Sequence, residues 1–121
     1  MAYSRVSKDA TIKTGGRMIH ELRIYTLHVG KVPEYVRLFE EKGLHIITRH
    51  LPMAGWWTSD TGELNRIYHL WRYEDMVDRA ERRRRLYEDE AWTQGFVPLA
   101  FPMIVKQESH LLTPTRFSPL Q

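Results

Sequence analysis

Residues 64–73 constrain the fold more than any other stretch of this 121-residue chain. Side chains on a β-strand point to the two faces in turn. One face would therefore carry a first set of residues, Asn65, Ile67, His69, Trp71 and Tyr73. The other face would carry a second set, Leu64, Arg66, Tyr68, Leu70 and Arg72. The first set contains an amide, an imidazole, an indole and a phenol, with a single aliphatic residue among them. Such a face indicates either the floor of a ligand pocket or a polar, aromatic interface, and alternation alone leaves both open.

Composition excludes several classes of protein. The chain has no cysteine, so disulfides, thiolate nucleophiles and thiolate metal sites are ruled out. No apolar run approaches the roughly 18 residues of a membrane span, and no secretory hydrophobic region is visible. The formal net charge of +3 is small and does not by itself imply binding to nucleic acid or membrane. We therefore expect a soluble, cytoplasmic protein.

Periodicity and turn signals predict six elements along the chain. In order, they are a strand at 18–29, a helix at 33–49, a strand at 53–59, the strand at 64–73, a helix from residue 74 and a strand at 104–112. This β-α-β-β-α-β order predicts a ferredoxin-like α+β fold, in which a four-stranded antiparallel sheet carries both helices on one face. Residues 1–17 are interpreted as a flexible polar leader, and residues 18–121 as one domain.

Particular residues refine the two predicted helices. Gly43 marks a break or a close approach in the first helix. The second helix should place an apolar stripe of Val77, Ala80 and Tyr87 against the sheet. Acids precede bases by four residues at three places, which favours surface ion pairs at Asp75–Arg79, Asp78–Arg82 and Glu81–Arg85. A short turn carrying Trp92 and Phe96 should plug the space between helix and sheet, with Pro98 and Pro102 ending it.

The arginine run at residues 82–85 raises the question of nucleic-acid binding. RNA-binding domains of this topology read RNA with aromatic residues in a glycine-containing motif on the third strand. Residues 64–73 contain aromatic residues but no glycine. The run is therefore interpreted as a solvated helix face, without a nucleic-acid partner. The alternative is that Arg83 or Arg84 turns toward a cleft and binds an anion.

Several short motifs in this order resemble the NIPSNAP family, within the dimeric α+β barrel group. The matching stretches are residues 21–27, Gly30-Lys31, residues 62–65, residues 69–71, Leu111-Leu112 and residues 117–120. The resemblance implies a ferredoxin-like protomer whose sheet packs on that of a second copy, so a homodimer is expected and a higher oligomer stays open. In related barrel families, small monooxygenases and haem-degrading enzymes bind their ligand between sheet and helices. NIPSNAP proteins themselves have no agreed reaction.

Five residues of the two central strands form a candidate site for a small aromatic or acidic organic molecule. Arg23 and Asn65 would hold an oxyanion, and Tyr25 and Trp71 would supply an aromatic wall. His69 would accept a proton near neutral pH, as the catalytic residue. This set suits cofactor-independent, monooxygenase-like oxidation of a phenolic substrate. The alternative is a non-catalytic homodimeric interaction module, in which the same side chains serve assembly.

Two further features bear on the site. Neighbouring strand residues face opposite ways, so only one of Trp56 and Trp57 can line a given cavity, and Trp57 is selected here as substrate-binding. Glu41 and His45 have the spacing of two metal ligands on a helix, but no third ligand is evident. We therefore expect no metal site and no cofactor. Haem stays open, because one histidine suffices as an axial ligand.

Overall fold

The structure is a computed structural model that describes residues 18–121, so the predicted leader at residues 1–17 lies outside the described residues. The strands are β1 (Ile19–Leu27), β2 (Met53–Thr58), β3 (Arg66–Tyr73) and β4 (Ile104–Leu112). The helices are α1 (Val32–Leu38), α2 (Leu44–Ile47), α3 (Met76–Glu88) and α4 (Val97–Ala100). A π-helical turn, Phe39–Gly43, joins α1 to α2, and a second one, Ala91–Phe96, leads into α4. The predicted β-α-β-β-α-β order is confirmed, with an additional helical segment before β4.

The four strands form one antiparallel sheet in the order β2-β3-β1-β4. β1 and β3 are therefore the central pair, as the ferredoxin-like fold requires. Their register places Arg23 opposite His69 and Tyr25 opposite Ile67. Directly opposed residues share a face of the sheet. The polar side chains of β1 thus lie beside the His69 row of β3.

Burial along β3 shows which face the helices cover. Ile67, His69, Trp71 and Tyr73 are buried, whereas the residues between them are only half-buried. Arg79 of α3 donates a hydrogen bond to Glu21 of β1 on the buried face. The His69 row therefore faces the helices of its own chain.

The helical layer is pinned by a close contact between the two π-helical turns. A Cβ atom on Gly43 would lie 2.7 Å from Cε1 of Phe96 and 3.0 Å from Cδ1 of Phe39. Gly43 thus marks a close approach, as predicted. Trp92 and Phe96 are buried and stack with ring centroids 4.6 Å apart, which confirms the predicted plug. Pro98 does not end this segment but lies in the first turn of α4, where its missing N–H is tolerated.

The inward face of α3 differs from the predicted one. Val77, Ala80 and Tyr87 are exposed, so the predicted apolar stripe is wrong. Leu86 is buried instead, and Arg79 is half-buried against the sheet. The reason is electrostatic, since a buried carboxylate in the sheet draws an arginine to the inward position.

The predicted ion pairs on α3 are confirmed at two of three places. Asp78–Arg82 and Glu81–Arg85 approach to 2.9 and 3.8 Å. Asp75 instead caps the helix, where its carboxylate accepts from the backbone N–H of Asp78 at 2.8 Å. Among residues 18–121, no helix is long and apolar enough to cross a membrane.

Candidate functional site

A fully buried carboxylate, Glu21 of β1, lies at one end of the site. Arg79 binds it through two N–H groups at 3.0 Å, Arg23 donates at 2.8 Å and the Ser109 hydroxyl donates at 2.6 Å. Burial by itself raises the pKa of Glu21, but the Arg79 and Ser109 hydrogen bonds and the Arg23 charge outweigh it and lower the pKa to about 2. Glu21 is therefore ionised and saturated with donors, and it ties α3 and β4 to β1.

Arg23 is held by side chains of the sheet. Besides its bond to Glu21, its Nε donates to the Tyr25 hydroxyl oxygen at 3.2 Å and its Nη2 donates to Gln107 at 3.3 Å. Its guanidinium lies 5.6 Å from the centroid of the Tyr25 ring. Each of the three Arg23 nitrogens donates to a protein acceptor, which holds Arg23 in the sheet. Its predicted role as an oxyanion clamp stays a prediction. It fixes Tyr25, and burial raises the pKa of that phenol, so Tyr25 is neutral.

His69 lies beside Tyr25, and its protonation differs from the prediction. The Trp71 indole N–H donates to Nδ1 of His69 at 2.7 Å. In a neutral imidazole with Nδ1 accepting, the hydrogen resides on Nε2. Burial, reinforced by the Arg23 charge, lowers the pKa of His69 to about 3. His69 is therefore a neutral hydrogen-bond donor near pH 7, and the expectation that it accepts a proton there is corrected. Trp71, which makes this bond, is itself 1% exposed.

The aromatic wall uses Trp56 and not Trp57. Trp56 stands opposite His69 in the sheet register and stacks on it at 5.9 Å between centroids, and Phe39 stacks on Trp56 at 5.0 Å. Trp57 stands opposite Tyr68, on the other face of the sheet, and is 52% exposed. The structure thus does not bring Trp57 to His69, and the sequence could not show this because alternation cannot assign the faces without the helices in place.

Asn65 lies outside this cluster. It precedes β3 with a φ of 63°, in the left-handed region that short polar side chains tolerate. Its backbone carbonyl accepts from Leu27 N–H at 2.7 Å, and its side-chain oxygen accepts from Gly30 N–H at 3.5 Å. Asn65 therefore shapes the loop at the end of β1, and the structure does not bring it to His69 as predicted.

Two residues that sequence reasoning did not assign to the site complete it, Tyr35 of α1 and Tyr87 of α3. Arg83 of α3 joins them, the residue that the sequence offered only as an alternative anion-binding position. Tyr35 is buried, and its pKa is raised by burial and further by the phenols of Tyr25 and Tyr87. The Arg83 guanidinium lies 5.8 Å from the centroid of the Tyr87 ring, and its charge contributes to lowering the pKa of His69. We call the cluster of Tyr25, Tyr35, His69, Arg83 and Tyr87 on the helix side of the sheet the helix-face cleft.

Arg83 differs from the other members of the arginine run. Arg82 pairs with Asp78, and Arg84 pairs with Glu81 at 2.7 Å and Glu88 at 2.8 Å. Within residues 18–121, no carboxylate lies within ion-pair distance of Arg83. Its position one helical turn after Arg79 was the sequence signal that could have identified it.

Two other features of the surface do not belong to the cleft. A shallow depression of about 200 Å³ is lined by Glu34, Arg37, Leu38, Glu41 and Leu99. It contains none of the five residues that define the cleft. In the described part of the chain, no three His, Asp or Glu side chains converge in a way that could hold a metal ion.

Comparisons of this chain with a family profile and with known sequences point to the same family. The NIPSNAP family profile matches residues 20–119. The chain is 33% identical over 95 residues to protein NipSnap homolog 3A of Homo sapiens, and 29% identical over 106 residues to protein NipSnap of Drosophila melanogaster. These alignments cover 78% and 88% of this chain but 38% of each relative. The chain thus spans less than two-fifths of the length of the curated relatives it matches.

Comparison with solved structures gives the same result. A NIPSNAP family protein of unknown function from Agrobacterium tumefaciens superposes with a TM-score of 0.84 at 38% identity, covering 87% of this chain and 95% of that one. A NIPSNAP domain protein from Burkholderia xenovorans gives 0.80 at 40% identity, covering 84% and 98%. A proposed antibiotic biosynthesis monooxygenase from Nitrosomonas europaea gives 0.63 at 11% identity, covering 91% and 100%, and shares the fold alone.

Proposed function

The chain belongs to the NIPSNAP family, and from that premise we propose that its helix-face cleft binds a small, planar, acidic organic molecule. The observation that carries the proposal is Arg83, an inward-facing cation without a carboxylate partner among the described residues. Its guanidinium lies over the Tyr87 ring, it interacts with Tyr73, and its charge acts on Tyr25 and His69. An anionic group would bind Arg83 through a charge-assisted hydrogen bond, and a planar ring would pack against Trp56 and Tyr25. A few placed polar groups in an aromatic pocket are typical of small-molecule sites.

The chemistry that fits such a ligand is oxidation by O₂ without a cofactor. The fold shared with a proposed antibiotic biosynthesis monooxygenase favours this class. An ionised phenol would add O₂ at the ring carbon para to its oxygen, forming a C–O bond. The hydroperoxide would then lose water as its O–O bond breaks and the ring C–H gives up its proton. One oxygen enters the quinone and the other leaves as water, so no external reductant is needed.

The second candidate is a non-catalytic, homodimeric interaction module. The face of the sheet opposite the helices favours it, since Trp57 is half-exposed there and aliphatic residues of β1 and β3 surround Tyr68. The two candidates use different faces of the sheet, so they can be tested separately.

The ligand proposal is tested with 1-hydroxy-2-naphthoate, a planar, fluorescent aromatic carboxylate. We expect saturable 1:1 binding to the wild-type protein and at least a tenfold weaker affinity in Arg83→Gln, because a hydrogen bond to a charged group contributes about 1.5–3 kcal/mol. Arg84→Gln is the matched control, since this neighbour points outward to Glu81 and Glu88. Its affinity should stay within twofold of the wild type. Equal affinities in both variants, or no binding by the wild type, would contradict the proposal.

The oxidation step has its own measurement. With 1-naphthol under air, at a pH where its phenol is already ionised in water, the reaction predicts one O₂ consumed for each 1,4-naphthoquinone formed, followed with an oxygen electrode and by absorbance. The control is the Arg83→Gln variant under the same conditions. Binding of 1-hydroxy-2-naphthoate without O₂ uptake from 1-naphthol would limit the function to binding.

A further inference from the structure

The floor of the helix-face cleft contains acceptors that are already occupied by donors of the same chain. The Trp71 N–H donates to Nδ1 of His69 at 2.7 Å, and the Arg23 Nε–H donates to the Tyr25 oxygen at 3.2 Å. Both oxygens of Glu21 accept from Arg79, and further donors bind it as well. These are the groups of β1 and β3 that could otherwise take a proton from a ligand.

The groups on this floor that a ligand can still bind are therefore hydrogen-bond donors. With Nδ1 accepting from Trp71, the neutral His69 ring carries its hydrogen on Nε2. Among residues 18–121, no side chain bonds to that nitrogen, so this part of the chain offers its N–H no acceptor. The Tyr25 hydroxyl accepts from Arg23, which leaves its own hydrogen to be donated elsewhere. The adjacent guanidinium also opposes any further proton on the Tyr25 oxygen.

We propose that Trp71 and Arg23 are positioning residues that turn His69 and Tyr25 into hydrogen-bond donors, so that the cleft accepts a ligand already ionised in water, such as a carboxylate or an acidic enol, and does not deprotonate it. The inference rests on the proposed function, because it concerns the ligand of the same cleft. It also assigns the binding roles: Arg83 supplies the charge, and His69 and Tyr25 supply oriented donors.

The chain contains a matched pair of indoles for the test. Trp71 and Trp56 both contact the His69 ring, with centroids 5.6 and 5.9 Å away. The N–H of Trp71 bonds to His69, whereas the N–H of Trp56 is buried without a hydrogen-bond partner in the described part of the chain. Trp71→Phe therefore removes the hydrogen bond that positions His69. Trp56→Phe makes the same change of side chain but removes an indole N–H that does not bond to His69.

The first readout is the tautomer of His69, measured by ¹⁵N NMR of the free protein at pH 7. We expect the hydrogen on Nε2 in the wild type and in Trp56→Phe. In Trp71→Phe, a measurable fraction should carry it on Nδ1, because that lone pair is released. A wild-type His69 with its hydrogen on Nδ1, or with a mixture of the two tautomers, overturns the inference, and this measurement does not depend on the stability of either variant.

The second readout is the proton balance of binding. Titration calorimetry of the wild type with 1-hydroxy-2-naphthoate, in two buffers of different ionisation enthalpy at pH 7, should show no net proton exchange. Trp71→Phe should weaken this binding about tenfold, and Trp56→Phe should weaken it less. Uptake of a proton from the buffer, or an absorbance shift showing that the ligand phenol ionises on binding, would overturn the inference. A wild type with the Nε2–H tautomer that binds no 1-hydroxy-2-naphthoate overturns the proposed function and its ligand class, while the positioning of His69 by Trp71 stands.

Discussion

At the scale of single residues, Glu21 is a fully buried carboxylate. A carboxylate removed from water is strongly destabilising unless it is paired and hydrogen-bonded. Glu21 meets that condition with Arg23, Arg79 and Ser109, residues drawn from β1, α3 and β4. The side chain therefore links three elements, and its removal should affect the whole fold.

We expect Glu21→Gln to lower the free energy of unfolding at pH 7 by about 3 kcal/mol, since Arg79 and Arg23 lose the charge they surround. The sign of the pH dependence follows from the lowered pKa. The stabilisation by Glu21 is complete above its ordinary pKa of 4.5 and is lost as pH falls toward about 2. Below pH 4.5 the curves of variant and wild type should therefore converge.

Urea unfolding between pH 7 and pH 2.5 measures this difference. Glu40→Gln is the control, because Glu40 is exposed and its loss changes the net charge equally. It should change stability by less than about 0.5 kcal/mol. A Glu21→Gln curve that runs parallel to the wild type down to pH 2.5 would refute the assignment.

At the scale of elements, the two π-helical turns are in direct contact within the helical layer. π-Helical turns within helices frequently occur at functional sites. Here Phe39–Gly43 and Ala91–Phe96 meet at Gly43, where the Phe96 ring fills the place of a Cβ atom. The contact brings Tyr35 and Phe39 against Trp56, with centroids 6.4 and 5.0 Å away. The helix-face cleft thus depends on a contact between two helical segments distant in sequence.

Gly43→Ala should destabilise the protein by about 1–3 kcal/mol, the usual result of overpacking a core. Alanine is the better helix former by roughly 1 kcal/mol, but the Phe96 ring is fully buried and cannot move away freely. Gly95→Ala is the matched control, because a Cβ there meets nothing within 4 Å. Thermal and urea unfolding compare the two variants, and a Gly43→Ala protein as stable as the control would contradict the packing argument.

At the scale of the whole molecule, the face of the sheet opposite the helices carries no helix among residues 18–121. Leu22, Ile24, Tyr68 and Leu70 lie on it half-buried, beside the exposed Trp57. Aromatic and aliphatic side chains over such an area are typical of interfaces. The family resemblance implied a homodimer through this face, and it stays a prediction.

We expect the wild-type protein to sediment as a dimer and Trp57→Glu to sediment as a monomer, because a charge on this face would be buried without a partner. Val77→Glu is the control, since Val77 is 73% exposed on α3. It should leave the dimer intact. Analytical ultracentrifugation at several protein concentrations distinguishes these outcomes. A monomeric wild type would remove the second candidate function, while the cleft proposal would stand.

The fold was predictable because its signals are local. Alternation in residues 64–73, the helix start near Pro33 and the turn at Gly62 each depend on neighbours in sequence. Their order then selects the ferredoxin-like topology, and the bounds of β4 agree residue for residue. The two faces of β1 and β3 were also sorted correctly into their two sets of residues.

Only the tertiary structure decided which set faces the helices, because alternation with period two is symmetric between the faces of a strand. That symmetry explains why Trp57 was selected in place of Trp56. Glu21 and Arg79 are 58 positions apart, so no local pattern shows that an arginine takes the inward place on α3. The sequence by itself determined a strand carrying His69 and Trp71 at alternate positions. The packing of the helices covered that face of the strand, where burial lowers the pKa of His69 and the Trp71 N–H bonds to its Nδ1.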